Sequence, residues 1–137
     1  MKEKSILRQE ARQPPADEEI SSQLERMLAS PGFVRSPRQS NLLRYLIEEY
    51  LAGRPQRIKA TSIALDVFGR DETFDQQSDP IVRVEAGRLR SRLAKYYEGE
   101  GREDSLVISI PKGTYQPVIA RAAKVTSIDE EQSVPDL

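Results

Sequence analysis

The sequence predicts a mainly α-helical domain finished by a small β-hairpin. Three observations carry this. Apolar residues recur at helical spacing in four stretches between Ala16 and Glu98. Helix start and stop signals separate those stretches, among them Ser30-Pro31-Gly32, Gly53 and Gly69. Beyond Gly101 the helical period gives way to two short β-type runs around a Pro-Lys-Gly turn, in the segment LVISIPKGTYQPVIA.

Residues 1–15 are polar, carry Lys2, Lys4, Arg8 and Arg12, and end in Pro14-Pro15, which predicts a flexible arm. Segment 16–32 supplies an extra N-terminal helix, from Ala16 to Ala29, with Ile20, Leu24, Met27 and Leu28 as its apolar stripe. Asp17, Glu18 and Glu19 suit the positive end of its dipole. Such a stripe serves either packing on the helix's own domain or dimerisation, and the sequence leaves both open.

Ser36-Pro37-Arg38-Gln39 reads as a capping box with proline at the first helical position. It opens a core helix in which Leu42, Leu43, Leu46, Ile47, Tyr50 and Leu51 repeat, and Gly53 is placed to end it. The connection RPQRIK leads to a shorter helix, ATSIALDVFG, with Ile63, Ala64, Val67 and Phe68 inward. A polar loop, RDETFDQQSD at 70–79, precedes the last helix, which Ser78 or Asp79 caps with Pro80 in the first turn. The strands are expected at Leu106–Ile110 and Thr114–Ile119. Residues 122–137 form an acidic tail expected to be disordered, with Asp129, Glu130, Glu131 and Asp136 and no base after Lys124.

The last helix, about 80–97, carries the chemistry. In SDPIVRVEAGRLRSRLAKYY, Arg83, Arg88, Arg90, Arg92 and Lys95 stand against one acid, Glu85, beyond the cap at Ser78 or Asp79. At about 100° per residue, Val82, Ala86, Leu89, Leu93 and Tyr96 share one sector and form the buried stripe. Val84, Gly87, Arg88, Ser91 and Lys95 stand opposite, with Arg83 and Arg90 on one flank and Arg92 on the other. A merely solvated face usually interleaves acids at i,i+4 spacing, and it has no use for a glycine that costs about 1 kcal/mol relative to alanine. A helix seated in the DNA major groove explains both features. A position without a side chain lets the backbone approach closely, and arginines around it can bind guanine bidentately or clamp phosphates. Val84 would meet a thymine methyl.

Composition narrows the alternatives. The chain of 137 residues has 21 Lys and Arg against 22 Asp and Glu, so its net charge of −1 names no partner. Between Phe33 and Arg121, however, 15 bases face 12 acids. The absence of cysteine and histidine rules out disulfides, thiolate zinc sites and imidazole general bases. No Gly-rich phosphate loop is present, since GEGRED at Gly99–Asp104 follows a helix end rather than a strand. The expectation is a protein that is not an enzyme and needs no metal or cofactor. No segment resembles a signal peptide or a membrane span, so a cytoplasmic, nucleoid-associated location is expected.

With helix order and hairpin in place, the chain resembles a winged helix-turn-helix: a three-helix core plus wing, with an extra N-terminal helix. It is similar to the DNA-binding domain of OmpR/PhoB-type response regulators through LDVFG (Leu65–Gly69), VRVEAGRLRSRL (Val82–Leu93) and ISIPKGTYQPV (Ile108–Val118). In wording it resembles more closely the N-terminal domain of some rhizobial adenylate cyclases and tetratricopeptide-repeat proteins, where VFGR, FD, DPIVRVEAGRLR, YY and PKG.Y.P recur in this order. The resemblance covers about residues 33–121. Two departures from the regulators are expected: no receiver domain ahead of the fold, and a polar arm and helix in place of their opening antiparallel sheet. It implies that the 70–79 loop corresponds to one that touches RNA polymerase in some activators. The acids Asp71, Glu72, Asp75 and Asp79 do not suit DNA.

The expected function is therefore a sequence-specific double-stranded DNA-binding transcriptional regulator, acting as a homodimer on repeated half-sites, with a recognition helix at about 80–97 and a wing at 106–119. Arg83, Arg88, Arg90 and Ser91 would read the groove, Val84 and Gly87 would set the approach, and Lys95 and Lys112 would hold phosphates. Gly113 beside Lys112 can adopt the positive φ of a type II turn. Two alternatives stand: an excisionase-like or architectural DNA-binding factor, and a protein-interaction module whose arginine face docks an acidic partner.

Overall fold

A computed structural model describes residues 14–122. The expected arm and acidic tail fall almost entirely outside them. Among the described residues the chain forms five α-helices and one two-stranded antiparallel sheet: α1 (Asp17–Leu28), α2 (Pro31–Val34), α3 (Pro37–Leu51), α4 (Ala60–Asp66), α5 (Ile81–Glu98), β1 (Leu106–Ser109) and β2 (Val118–Arg121). The mainly helical class and the C-terminal hairpin agree with the sequence. A short 3-10 turn, Pro55–Arg57, lies in the connection before α4.

Three local expectations change. Ser30-Pro31-Gly32 ends α1 but also starts α2, because Pro31 is preset for the first helical turn and Phe33 gains a buried position. The capping box at Ser36 does not form: Ser36 makes no side-chain cap hydrogen bond, and the Gln39 amide instead donates to Glu85 at 2.5 Å. The second strand begins at Val118, not Thr114, in the register Leu106↔Arg121 and Ser109↔Val118. Pro117 has no N–H to give to a ladder, and the Thr114 carbonyl is taken by Arg90, so residues 110–117 form an extended tip. Gly53, with φ of +77°, follows the cap of α3 as expected, whereas α4 already ends at Asp66 and Gly69, with φ of +66°, lies in the turn beyond it.

The core is one cluster built from every helix and β1. α3 contributes Leu42, Leu43, Leu46 and Ile47, and α5 contributes the expected Val82, Ala86, Leu89, Leu93 and Tyr96, all buried. Ile63 and Ala64 of α4 are buried as expected, while Val67 and Phe68 are half-buried against the cluster. Phe33 meets Tyr96 edge-on, with ring centroids 6.3 Å apart.

The stripe of α1 belongs to this same core. Ile20, Leu24 and Met27 are at most 3 % exposed without any second copy. Outside the stripe, Glu25 pairs with Arg44 of α3 at 3.0 Å, and Glu19 takes both guanidinium ends of Arg121 at 2.9 and 3.0 Å. Arg121, with the Ala16 N–H, holds the Glu19 carboxyl down at about 2. Packing on its own domain is thus the use the fold makes of α1's apolar face.

A polar network joins α1, α5 and the hairpin. Asp104 accepts from Tyr96 at 2.5 Å and from Gln23 at 2.8 Å, with Arg26 at 3.3 Å. Burial works to raise its carboxyl, yet these hydrogen bonds and the arginine hold it below the usual range. Tyr97 stands in for a missing third strand. Its hydroxyl accepts from the Ile108 N–H at 2.9 Å and donates to the Leu106 carbonyl at 3.0 Å, on the edge of β1 that β2 does not use. Burial pushes this phenol up to about 12. Tyr97→Phe should destabilise the domain by about 1–3 kcal/mol, because it strands a buried donor and acceptor. A denaturant titration with unchanged parental stability would refute that.

Candidate nucleic-acid interface

α5 is 18 residues long and sits with one face on α3 and α4 and the other in solvent. Its start is prepared in the preceding loop, where Asp79 accepts from the Ile81 N–H at 3.2 Å and is fixed by Arg70 at 2.7 Å. Arg70 draws the Asp79 carboxyl below its usual value. Pro80 occupies the cap position rather than the first turn.

The exposed face gathers most of the expected residues. Arg83, Val84, Gly87, Arg88, Ser91 and Lys95 are all exposed, and Val84 is 40 % accessible. Arg83, Lys95 and Lys112 form no ion pair among the described residues. Around Gly87 a methyl group would meet nothing within 4 Å. The fold therefore makes no steric demand for glycine there. Gly32 is different, since a methyl there would lie 3.2 Å from Nη1 of Arg92, whose side chain packs across α2.

Glu85, the one acid of α5 before its last residue, is not on the solvent side at all. It is 1 % exposed and receives Gln39 at 2.5 Å, Arg88 at 2.9 Å and Arg38 at 3.5 Å. Arg88 is thus tethered through Nη1 of its guanidinium while its side chain stays 64 % exposed. The sequence reading missed Arg38 and Gln39 as partners of the site, having assigned them to a helix cap. One signal was present: Glu85 lies one turn before Leu89 and next to Ala86, at the margin of the buried stripe.

Arg90 has a different employment from the one expected. Its Nε donates to the Ile110 carbonyl at 2.8 Å, and Nη2 donates to Thr114 at 2.9 Å and Pro111 at 3.3 Å. These bonds use Nε and Nη2 and leave only Nη1 to a ligand, so a bidentate grip on a base through the Nε/Nη2 edge would release the hairpin tip. The role of Arg90 is to set the tip against α5. Lys112 is exposed at that tip, beside Gly113 with φ of +90°. Val118 is 49 % exposed at the start of β2.

The 70–79 loop is organised by its own acids. Asp71 accepts from the Thr73 N–H and hydroxyl, Asp75 from the Gln77 N–H and the Ser78 hydroxyl, and Asp79 as described. These carboxylates fold the loop, and Glu72 stands exposed beside them. Among the described residues no group of three or more His, Cys, Asp or Glu is arranged to hold a metal, and no helix is long and apolar enough to cross a membrane. Comparison with protein-family models, with curated proteins and with solved structures finds no match.

Proposed function

We propose that this chain is a sequence-specific double-stranded DNA-binding transcriptional regulator of winged helix-turn-helix type, with α5 in the major groove and the hairpin as its wing. The observation that carries the reading is Gly87. It stands bare and exposed on α5, between Arg83, Arg88 and Lys95, and an added Cβ there would meet no neighbouring element within 4 Å among the described residues. A mid-helix glycine costs about 1 kcal/mol relative to alanine, and nothing inside the domain recovers that. Close approach by an external anionic surface does, and the major groove admits one helix with its basic side chains directed at phosphates and base edges.

On this reading Arg83, Arg88 and Ser91 face base edges, Val84 a thymine methyl, and Lys95 and Lys112 phosphates, while Arg90 holds the wing in place. The protein acts in the cytoplasm on the nucleoid, as a homodimer on repeated half-sites, and the 70–79 loop is the surface offered to RNA polymerase. Selection of bound sequences from random duplex DNA tests the class and the symmetry together. A motif with repeated halves is expected. Lys95→Ala should weaken selected and scrambled duplexes about equally and lower the log–log salt slope by about one unit. Binding that is absent, or indifferent to salt, would instead favour docking of an acidic protein on the same face.

A further inference from the structure

We infer that Glu85 is the positioning residue of this interface: it fixes the Arg88 guanidinium for base recognition and brings Arg38, from a different helix, onto the DNA as a phosphate contact. The inference rests on the reading of α5 as the groove helix. A carboxylate that is 1 % exposed is tolerated only where its charge is matched and its oxygens are hydrogen-bonded. Here the matching charges come from two helices. Arg88 of α5 and Arg38 of α3 both reach Oε2, at 2.9 and 3.5 Å, while Gln39 takes Oε1.

Neither arginine is consumed by this. Their side chains remain 64 % and 65 % exposed, and a guanidinium has five N–H donors, so each keeps free N–H groups after one bond to Oε2. Two cations on one anion leave the cluster with a surplus positive charge. Arg38 also lines a cleft with Asn41, Phe68, Arg70 and Ile81, which places it beside the first residue of α5. A phosphate strand passing the start of the groove helix would lie within its reach.

The tether matters because specificity is a difference of affinities. An untied arginine on a flexible stem finds any phosphate, whereas one held through Nη1 presents its remaining N–H groups in one orientation and loses less freedom on binding. Glu85 would therefore weaken binding to arbitrary DNA and favour the correct base.

The test uses the 137-residue chain, titrated over a salt series against the selected duplex and a scrambled one. Glu85→Gln keeps the side chain's size but removes the negative charge on which both arginines converge, which loosens Arg88. Affinity for the selected duplex should fall about tenfold, with base preference relaxed at one position, while the scrambled duplex binds as before or more tightly. Arg38→Ala should weaken both duplexes and reduce the salt slope by about one unit. An unchanged selected-to-scrambled ratio in folded Glu85→Gln, or an unchanged slope in Arg38→Ala, overturns the inference. Should Glu85→Gln fail to fold, Arg38→Ala decides alone, since that side chain lies outside the core. A parent protein without salt-dependent, sequence-selective binding overturns the groove reading itself, and this inference with it.

Discussion

Gly87→Glu should unfold no earlier than the parent and lose duplex binding altogether. The two halves of this expectation come from different physics. For the fold, the position is exposed in the middle of α5, and an added Cβ meets nothing within 4 Å. Replacing glycine by a good helix former there should gain up to about 1 kcal/mol, which raises the unfolding midpoint by roughly 4–8 °C in a domain of this size. For binding, the substitution puts a carboxylate between Arg83, Arg88 and Lys95 and holds the helix away from any phosphate or base edge. Gly87→Ala separates sterics from charge, because it should be as stable with only part of the binding loss. Thermal unfolding and titration against the selected duplex decide both. If Gly87→Glu binds like the parent, the exposed face of α5 does not enter the groove.

Polar replacement of α1's inner face should unfold the domain rather than produce a folded monomer. Leu24 is 3 % exposed and Met27 is fully buried, with its sulfur 3.6 Å from the Tyr97 hydroxyl that secures β1. Truncating such residues costs about 2–5 kcal/mol each, and an unpaired buried amide adds to that. The total is comparable with the whole stability of an ordinary domain, about 5–15 kcal/mol. Leu24→Gln combined with Met27→Gln should therefore lose helical circular dichroism at ambient temperature. A dimeric parent turning into a well-folded monomer in sedimentation would show that α1 serves assembly instead. Any dimer this protein forms should use a surface other than that stripe.

Several features were legible from local pattern alone. The periods of α1, α3 and α5 placed their buried stripes correctly, since burial of one helix face needs only apolar residues every three to four positions. Gly53 marked the end of α3 through the left-handed backbone it adopts there. The exposed row from Arg83 to Lys95 followed from the same wheel. The partners of the charged side chains were not legible. Arg38 and Gln39 looked like parts of a capping box, yet both turn to Glu85, which lies 47 and 46 residues away in sequence. Arg90 looked like a groove residue and instead holds carbonyls 20 and 24 residues further on.

Sequence by itself determined the helical periods, the breaks between helices, the hairpin at the end and the sign of charge on the outer face of α5. Each of these depends on neighbours within a few positions, where propensity and spacing act directly. Only the tertiary structure decided that α1 buries its stripe in its own core, that β2 starts after Pro117, and which arginines of α5 remain free to meet a ligand. A charged side chain is long enough to choose among several partners. Its choice is fixed by which helix end or carbonyl lies across from it, and chain packing places those groups far from it in sequence.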